Sequence, residues 1–329
     1  MGGVNSTEPE SLPDTAAIDP SLLGAVFCGS SALLYAITNI CLRRLAVDAN
    51  PAWAICVKES VSVAIVGPVL AYHAMRGARC FPPGRAVARI LLVGLATQLL
   101  GNVPVLWSLG VVGLSITIPV VVGVSLVAGA VAGWVWLREP VTFRSAMALG
   151  LLIAAVVLLT LGAGQTNQSI TGQSARIGPL WVALGVGAAC LAGCTFALLA
   201  ITIRSSVTGS VPPAVVVFLI TSMGTLALGP LSLWQPGLDG LLQTRAADLQ
   251  VMLLAGLLNL AAFASITKGL QLTTIVHANV LSASQTALAA IAGMLIFHEP
   301  PNSAMVLGVT LTVAGIILID HRTANGRRS

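Results

Sequence analysis

The chain alternates between long apolar runs and short polar hinges from about residue 20 to residue 320. Each run has roughly the 20 apolar residues that an α-helix needs to cross the hydrocarbon core of a bilayer. Because most hinges are short, neighbouring helices are expected to run antiparallel. The pattern predicts ten membrane-spanning helices, at residues 21–42, 52–75, 89–109, 112–137, 143–163, 179–203, 212–234, 249–268, 272–297 and 303–320.

The composition favours an all-α integral membrane protein. Hydrophobic residues make up 56% of the 329 residues and charged residues only 8%, and the mean hydropathy is +0.94. Soluble domains carry about 25% charged residues, so this chain cannot cover a water-facing surface. The net charge of +5 comes mainly from arginines in the hinges. That placement is typical of membrane topology signals and not of nucleic-acid binding.

The distribution of lysine and arginine sets the expected orientation. With the N-terminus in the cytoplasm, the inner hinges and tails hold eleven of these residues and the outer hinges hold four. Positive residues accumulate on the cytoplasmic side, so both termini are predicted to be cytoplasmic. Arginine far outnumbers lysine, and alanine and glycine are abundant. This usage favours a GC-rich bacterial gene and therefore the bacterial inner membrane.

One sequence pattern occurs twice. WLREPVTFRSAMALG begins at Trp136 and IFHEPPNSAMVLG begins at Ile296, and other matches keep an offset of 158 to 162 residues. Each copy contains five predicted spans, and an odd number inverts the second copy relative to the membrane. The expected organisation is a polar tail, a first five-helix repeat, a linker, a second five-helix repeat and a basic tail, at residues 1–20, 21–163, 164–178, 179–320 and 321–329.

These features resemble the EamA-type carriers of the drug/metabolite transporter superfamily. The resemblance rests on Glu-Pro after spans four and nine and a glycine in the following span, at Glu139, Pro140, Gly150, Glu299, Pro300 and Gly308. It implies a secondary carrier for a small metabolite, often an exporter, with a central cavity between the halves and no cofactor. Small four-span relatives use a carboxylate in their first helix for proton-coupled cation export. Spans one and six here contain no acidic residue, so that mechanism is not carried over.

Two further groups of motif residues have structural interpretations. Glu139 and Glu299 are either gates or proton sites, or each caps a helix at the membrane surface, where a carboxylate satisfies free N–H groups. We favour capping. Small residues spaced four apart let helices approach closely. They indicate packing between spans four and nine, or across a homodimer, at Gly129, Gly133, Ala289 and Gly293.

Lys58 and Glu59 are the strongest candidates for a site, because they lie inside the second span. A charge at mid-membrane costs roughly 3 kcal/mol, so such residues normally face a cavity or pair with another group. The sequence leaves a solute site and a satisfied internal ion pair equally open. As a site, Lys58 would hold an anionic group and Glu59 an amine or the coupling proton, which suits a zwitterion. Their counterparts in the second half are the neutral Ile220 and Thr221.

Other polar residues inside spans are candidates for the same cavity. Those in span nine recur every three residues and form a polar stripe, and a histidine beside them is a candidate proton switch. Each polar group also has the alternative of a helix–helix hydrogen bond worth about 0.6 kcal/mol. The solute or coupling-ion candidates are Lys58, Glu59, Ser62, Gln98, Asn102, Trp107, His277, Asn279, Ser282 and Gln285, and Asn259 in span eight is a further candidate.

The sequence contains no pattern for catalysis or metal binding. It has neither a phosphate-binding loop for ATP nor a zinc-protease motif, so no metal and no catalytic residue is expected. The leading interpretation is a secondary active transporter that works by alternating access and is driven by a proton or a counter-solute gradient. The alternatives are a channel on the same scaffold, a non-transporting receptor or assembly subunit, and an enzyme acting on lipid-linked substrates.

Overall fold

The computed structural model describes residues 20–46, 49–77, 81–137, 179–208, 211–234, 237–296 and 303–320, with scattered helical residues between 143 and 158. All regular secondary structure in this part of the chain is helical. The helices are α1 (Pro20–Leu45), α2 (Pro51–Met75), α3 (Gly84–Ala96), a π-helix (Thr97–Asn102), α4 (Val103–Val112), α5 (Leu114–Leu137), α6 (Pro179–Thr208), α7 (Pro213–Trp234), α8 (Gly237–Leu242), α9 (Ala246–Leu272), α10 (Ile275–Ser282), α11 (Ser284–Ile296) and α12 (Ser303–Asp320).

Seven helical segments within the described residues are long and apolar enough to cross a membrane. They coincide with predicted spans one to four and six to eight: Leu22–Leu45, Pro51–Met75, Gly84–Val112, Ile116–Trp136, Leu180–Thr208, Pro213–Trp234 and Ala246–Leu272. The helical membrane fold is therefore confirmed, while the number of ten spans stays a prediction. The basic tail, nearly all of the N-terminal tail, part of span five, and Glu139, Pro140, Glu299 and Pro300 lie outside the described residues.

The first turn of α2 is fixed by a side-chain cap. Asn50 Oδ1 accepts hydrogen bonds from the N–H groups of Ala52 and Trp53, at 3.0 and 3.2 Å. Pro51 occupies the first helical position, where its missing N–H leaves no donor unpaired. The cap sets where α2 begins, and it therefore sets the depth of Lys58 and Glu59, about two turns further along.

The third predicted span is one continuous rod that changes helix type in the middle. Within the π-helix, the N–H of Val103 donates to the carbonyl of Gln98, five residues earlier. Pro104 has no N–H with which to bond the carbonyl of Leu100. Thr195 Oγ1 of α6 donates to the Leu191 carbonyl of its own helix, at 2.8 Å, and also lies 3.4 Å from the Leu100 carbonyl oxygen. Such π-segments are frequent at functional sites, and this one faces the interior of the bundle.

The ninth predicted span is not one helix, and this corrects the prediction of a continuous run at 272–297. α10 ends at Ser282 and α11 begins at Ser284, with a turn around Ala283. The N–H of Thr286 donates to the carbonyl of Ala283, at 2.9 Å. Irregular backbone at membrane depth is tolerated where it is buried in protein or faces a cavity. A prediction based on the length of an apolar run cannot detect such a break.

A close glycine contact between two helices occurs twice, at equivalent positions of the two halves of the chain. Gly256 of α9 packs on Lys58 and Val61 of α2, where an added Cβ would lie 2.8 Å from the Lys58 carbonyl oxygen. Gly94 of α3 packs in the same way on α7, where an added Cβ would lie 3.1 Å from the Cα of Ile220. Each residue of one contact is 162 positions from its counterpart in the other.

A second pair of contacts repeats with nearly the same offset. Gly24 of α1 packs against Leu272 and Thr273, and Gly185 of α6 packs against Val111 and Val112 at counterpart positions. In both pairs, a helix from one half contacts a helix from the other. The two halves of the chain are therefore interleaved and do not form separate domains.

Apolar and polar side chains are distributed as expected for a protein in lipid. Large apolar residues such as Leu92 and Leu226 are 68% and 65% exposed, and face outward. Polar side chains such as Lys58 and Gln98 are buried in the bundle. The small residues predicted to pack are consistent with this arrangement. Gly129, Gly133 and Ala289 are buried. Their helices also meet, since α5 contacts both α10 and α11. The burial of Gly293 is not described by the structure.

Candidate functional site

A cavity of about 200 Å³ lies between the helices and is lined by residues from both halves of the chain. Just over half of its lining residues are apolar, namely valine, leucine, isoleucine, phenylalanine and alanine. The polar lining consists of five amides, five hydroxyl groups and one residue of each charge: Tyr35, Thr38, Asn39, Lys58, Glu59, Thr97, Gln98, Asn102, Ser125, Asn259, Ser282 and Gln285. The cavity therefore offers many hydrogen-bonding groups but no net charge among its lining residues.

Lys58 and Glu59 form an ion pair in the wall of this cavity. The Lys58 Nζ lies 2.9 Å from Glu59 Oε1, and each side chain is only 3% exposed. Adjacent residues of a helix point about 100° apart, so the two long side chains must bend towards each other to pair. Of the two interpretations left open by the sequence, the ion pair is present, and both of its members also line the cavity.

Each member of the pair has an amide neighbour on a different helix. Lys58 Nζ donates to Asn259 Oδ1 of α9, at 3.3 Å, and Asn102 Nδ2 of the π-helix donates to Glu59 Oε1 in a long hydrogen bond of 3.5 Å. The same Asn102 nitrogen donates to Gln98 Oε1, at 2.8 Å. Gln98 Nε2 donates in turn to the carbonyl of Ile220, at 3.3 Å. A polar network thus connects α2, α9, the π-helix and α7.

One oxygen of Glu59 is left for a ligand. All hydrogen bonds and the ion pair that Glu59 makes with described residues use Oε1, and the side chain lines the cavity. Lys58 has three donor hydrogens and uses two of them, for Glu59 and Asn259. The pair therefore presents an acceptor and a donor side by side, which is the arrangement needed to hold a small polar solute by two points.

Gly224 of α7 makes room for the carboxylate side chain. A Cβ atom at this position would lie 2.5 Å from Cγ of Glu59 and 3.1 Å from Cδ of Gln98. Real Cβ atoms do not approach other heavy atoms so closely. The absence of a side chain at Gly224 is therefore a condition for the observed position of Glu59.

Comparison with known proteins defines the family. The model of the EamA-like transporter family matches residues 22–161 and 183–319. This chain belongs to the EamA-like transporter family. No curated protein sequence matches it. A protein known from its crystal structure aligns with 90% of this chain and 95% of its own, with 17% identity and a TM-score of 0.65. That likeness establishes a shared fold and nothing more.

The fold brings together most of the candidate residues of this EamA-like protein. Lys58, Glu59, Gln98, Asn102, Ser282 and Gln285 all line the cavity. Asn279 is in α10, but its side chain is not among those that the structure describes. That these residues bind a solute stays a prediction, because a position in the cavity wall makes a side chain accessible to a solute without showing that it binds one.

Three candidates are not brought to the cavity. Trp107 packs its ring against Trp181 of α6, with centroids 6.1 Å apart, because its side of α4 faces that helix. His277 lies at the start of α10, where its N–H donates to Thr274 Oγ1, at 3.3 Å. Ser62 is buried one turn beyond Lys58, and its hydroxyl has no hydrogen-bond partner among the described residues.

The sequence prediction missed a polar face on α1. Tyr35, Thr38 and Asn39 all line the cavity and follow the spacing of three and four residues that places side chains on one helix face. That spacing was available in the sequence, but neutral residues in a span give a weaker signal than charges. Ser125 and Phe196 line the cavity as well. No group of three or more potential metal ligands occurs within the described residues.

Proposed function

We propose that this EamA-like protein is a secondary active exporter of a small polar metabolite and works by alternating access. The observation that carries the proposal is the cavity between the two halves, whose wall combines apolar side chains with a charge pair, amides and hydroxyl groups. Many secondary transporters that are built from internal repeats bind their solutes near the midplane, at the interface of the repeats. The direction of transport follows the family resemblance, and the driving force is a proton or counter-solute gradient.

Two inverted five-helix repeats are the proposed basis of the alternation. The family model matches the chain twice, once in each half, and equivalent glycine contacts join the halves in both directions. Two interleaved halves of similar structure have two packings of similar free energy, each open to one side. On this proposal, both termini are cytoplasmic and the protein lies in the inner membrane of a bacterium.

The dimensions and chemistry of the cavity point to the kind of solute. Pockets for drug-sized ligands enclose about 300–1,000 Å³, and this cavity of about 200 Å³ is smaller. The amides and hydroxyl groups match a solute with several hydrogen-bonding groups. The charge pair matches a solute with an amine for Glu59 and an anionic group for Lys58, so small zwitterions are the first solutes to test.

A growth screen with a matched control tests the proposal. A bacterial host would express the wild type, Glu59→Gln or Asp239→Asn, and tolerance to amino acids, their analogues, sugars and cationic drugs would be scored at equal membrane levels. Asp239 is an exposed carboxylate on α8, outside the cavity, so its variant controls for the loss of a charge. We expect a tolerance that the wild type and Asp239→Asn confer and that Glu59→Gln reduces at least tenfold.

Two results would contradict the proposal. Equal tolerance with Glu59→Gln would show that the solute does not use the cavity pair. Proteoliposomes containing the wild type that accumulate or release none of the panel solutes, under either a proton gradient or an opposing solute gradient, would argue against transport of these classes.

A further inference from the structure

The ion pair lies within a single helix, and this distinguishes it from a gate. Lys58 and Glu59 are neighbours on α2, so a rigid-body movement of α2 carries both charges together and leaves their 2.9 Å contact unchanged. The hydrogen bonds to Asn259 and Asn102, by contrast, join α2 to α9 and to the π-helix. Movement of the helices against each other would break these bonds while the ion pair persists. The positive charge of Lys58 therefore continues to compensate the negative charge of Glu59 when the helices move.

Few other groups in the surroundings can compensate the charge of Glu59. α7 presents Ile220, Thr221 and Gly224 at this level, none of which is charged, and α9 and the π-helix present amides. Tyr35 of α1 is the one other titratable side chain among the described residues that line the cavity. A buried carboxylate without a compensating cation is strongly unfavourable and takes up a proton instead. Whether Glu59 binds a proton therefore depends on Lys58.

We propose that Lys58 is a built-in counter-ion that keeps Glu59 ionised, so that Glu59 binds no proton when the cavity is empty. The inference rests on the proposed transport function and restricts its mechanism. An empty cavity that is already neutral needs no bound proton to change sides. A solute that separates the pair must supply a positive group for Glu59 and a negative group for Lys58, and a proton on Glu59 is then not the coupling ion.

The test measures proton binding in the absence of any solute. Proteoliposomes adsorbed on a solid-supported membrane would receive a step from about pH 8 to about pH 5, which spans the range of ordinary carboxylate and histidine titration. The reference is the double variant Lys58→Gln/Glu59→Gln, which lacks both charges but keeps every histidine. The signal is the transient charge displacement of each protein minus that of this reference. Lys58→Arg is the conservative variant.

We expect no signal above the reference for the wild type or for Lys58→Arg, because the carboxylate is already paired. Lys58→Gln should give a transient at least threefold above the noise, because its unpaired Glu59 binds a proton. The same variant should melt roughly 5–10 °C lower at pH 8 than at pH 5, after subtraction of the shift seen in the double variant. A merely structural lysine would lower the melting temperature equally at both pH values.

Two outcomes would overturn the inference. A transient in the wild type as large as that of Lys58→Gln would show that Glu59 titrates despite Lys58. A Lys58→Gln protein that is folded and gives no transient would show that Lys58 does not control the proton. If Lys58→Gln fails to reconstitute, a wild-type transient above that of the double variant would still overturn the inference. Because no solute is present, an unsuccessful solute screen leaves this result unaffected.

Discussion

The Glu59 side chain of α2 lies directly against the backbone of Gly224 of α7, where a Cβ atom would come within 2.5 Å of Cγ. Gly224→Ala should therefore displace Glu59 and disturb its hydrogen bond with Asn102, with an overpacking cost of about 1–3 kcal/mol. We expect transport to fall at least tenfold in the growth screen. Gly229→Ala is the control, because a Cβ there meets only Cys56 Sγ, at 3.8 Å. Equal losses in the two variants would contradict this role of Gly224.

Pro104 is expected to maintain the π-helix and, with it, the position of Asn102. Pro104→Ala restores an N–H that can bond the carbonyl of Leu100, so the segment gains the option of ordinary α-helical pairing. That change would rotate Asn102 relative to Glu59. We expect a folded protein with reduced transport and slower hydrogen exchange at residues 97–102. Pro68→Ala on α2, at an exposed position, should leave exchange in this segment unchanged, and an unaltered segment in Pro104→Ala would refute the prediction.

The repeated glycine contacts predict matched effects on stability. Gly94→Ala and Gly256→Ala each place a methyl group against the facing helix, and both should lower the free energy of unfolding. The effect should be larger at Gly256, where the added carbon would lie 2.8 Å from a carbonyl oxygen, against 3.1 Å from Cα at Gly94. Thermal unfolding of both variants beside Gly29→Ala, which has open space around its Cβ, measures the difference. A neutral effect at either site would contradict close packing there.

The sequence was sufficient to predict the helical membrane fold, because long apolar runs have few alternatives in a protein. It also identified the charge pair, since charges inside a span are rare enough to stand out. The break at Ala283 was not predictable, because alanine favours a continuous helix and serine is tolerated within one. The π-helix was not predicted either, because its hydrogen bonds between residues five apart, such as that from the Val103 N–H to the Gln98 carbonyl, leave no pattern in the apolar residues.

The direction of each side chain was the weakest part of the prediction. Trp107 follows Asn102 by five residues, which places it about 140° away around an α-helix. Its ring meets Trp181 and not the cavity. Tyr35 and Asn39 were overlooked for the opposite reason, because neutral polar residues in a span pack between helices as often as they face a cavity. Whether such a side chain points into the cavity depends on the residues of the neighbouring helices, which the composition of its own helix does not reveal.

The two halves of the chain make equivalent backbone contacts, yet the charged residues that line the cavity, Lys58 and Glu59, both belong to the first half. The positions in the second half that correspond to Lys58 and Glu59 are occupied by the neutral Ile220 and Thr221. Exchange of the two packings would therefore reorient the Lys58–Glu59 dipole in the membrane, and the second half contributes no charged pair to the cavity lining that would offset it. In the proposed mechanism, the two end states differ in free energy, and the membrane voltage adds to that difference. The empty carrier would then favour one of its two conformations, open to one side of the membrane. Depolarising the cell would change the population of that conformation.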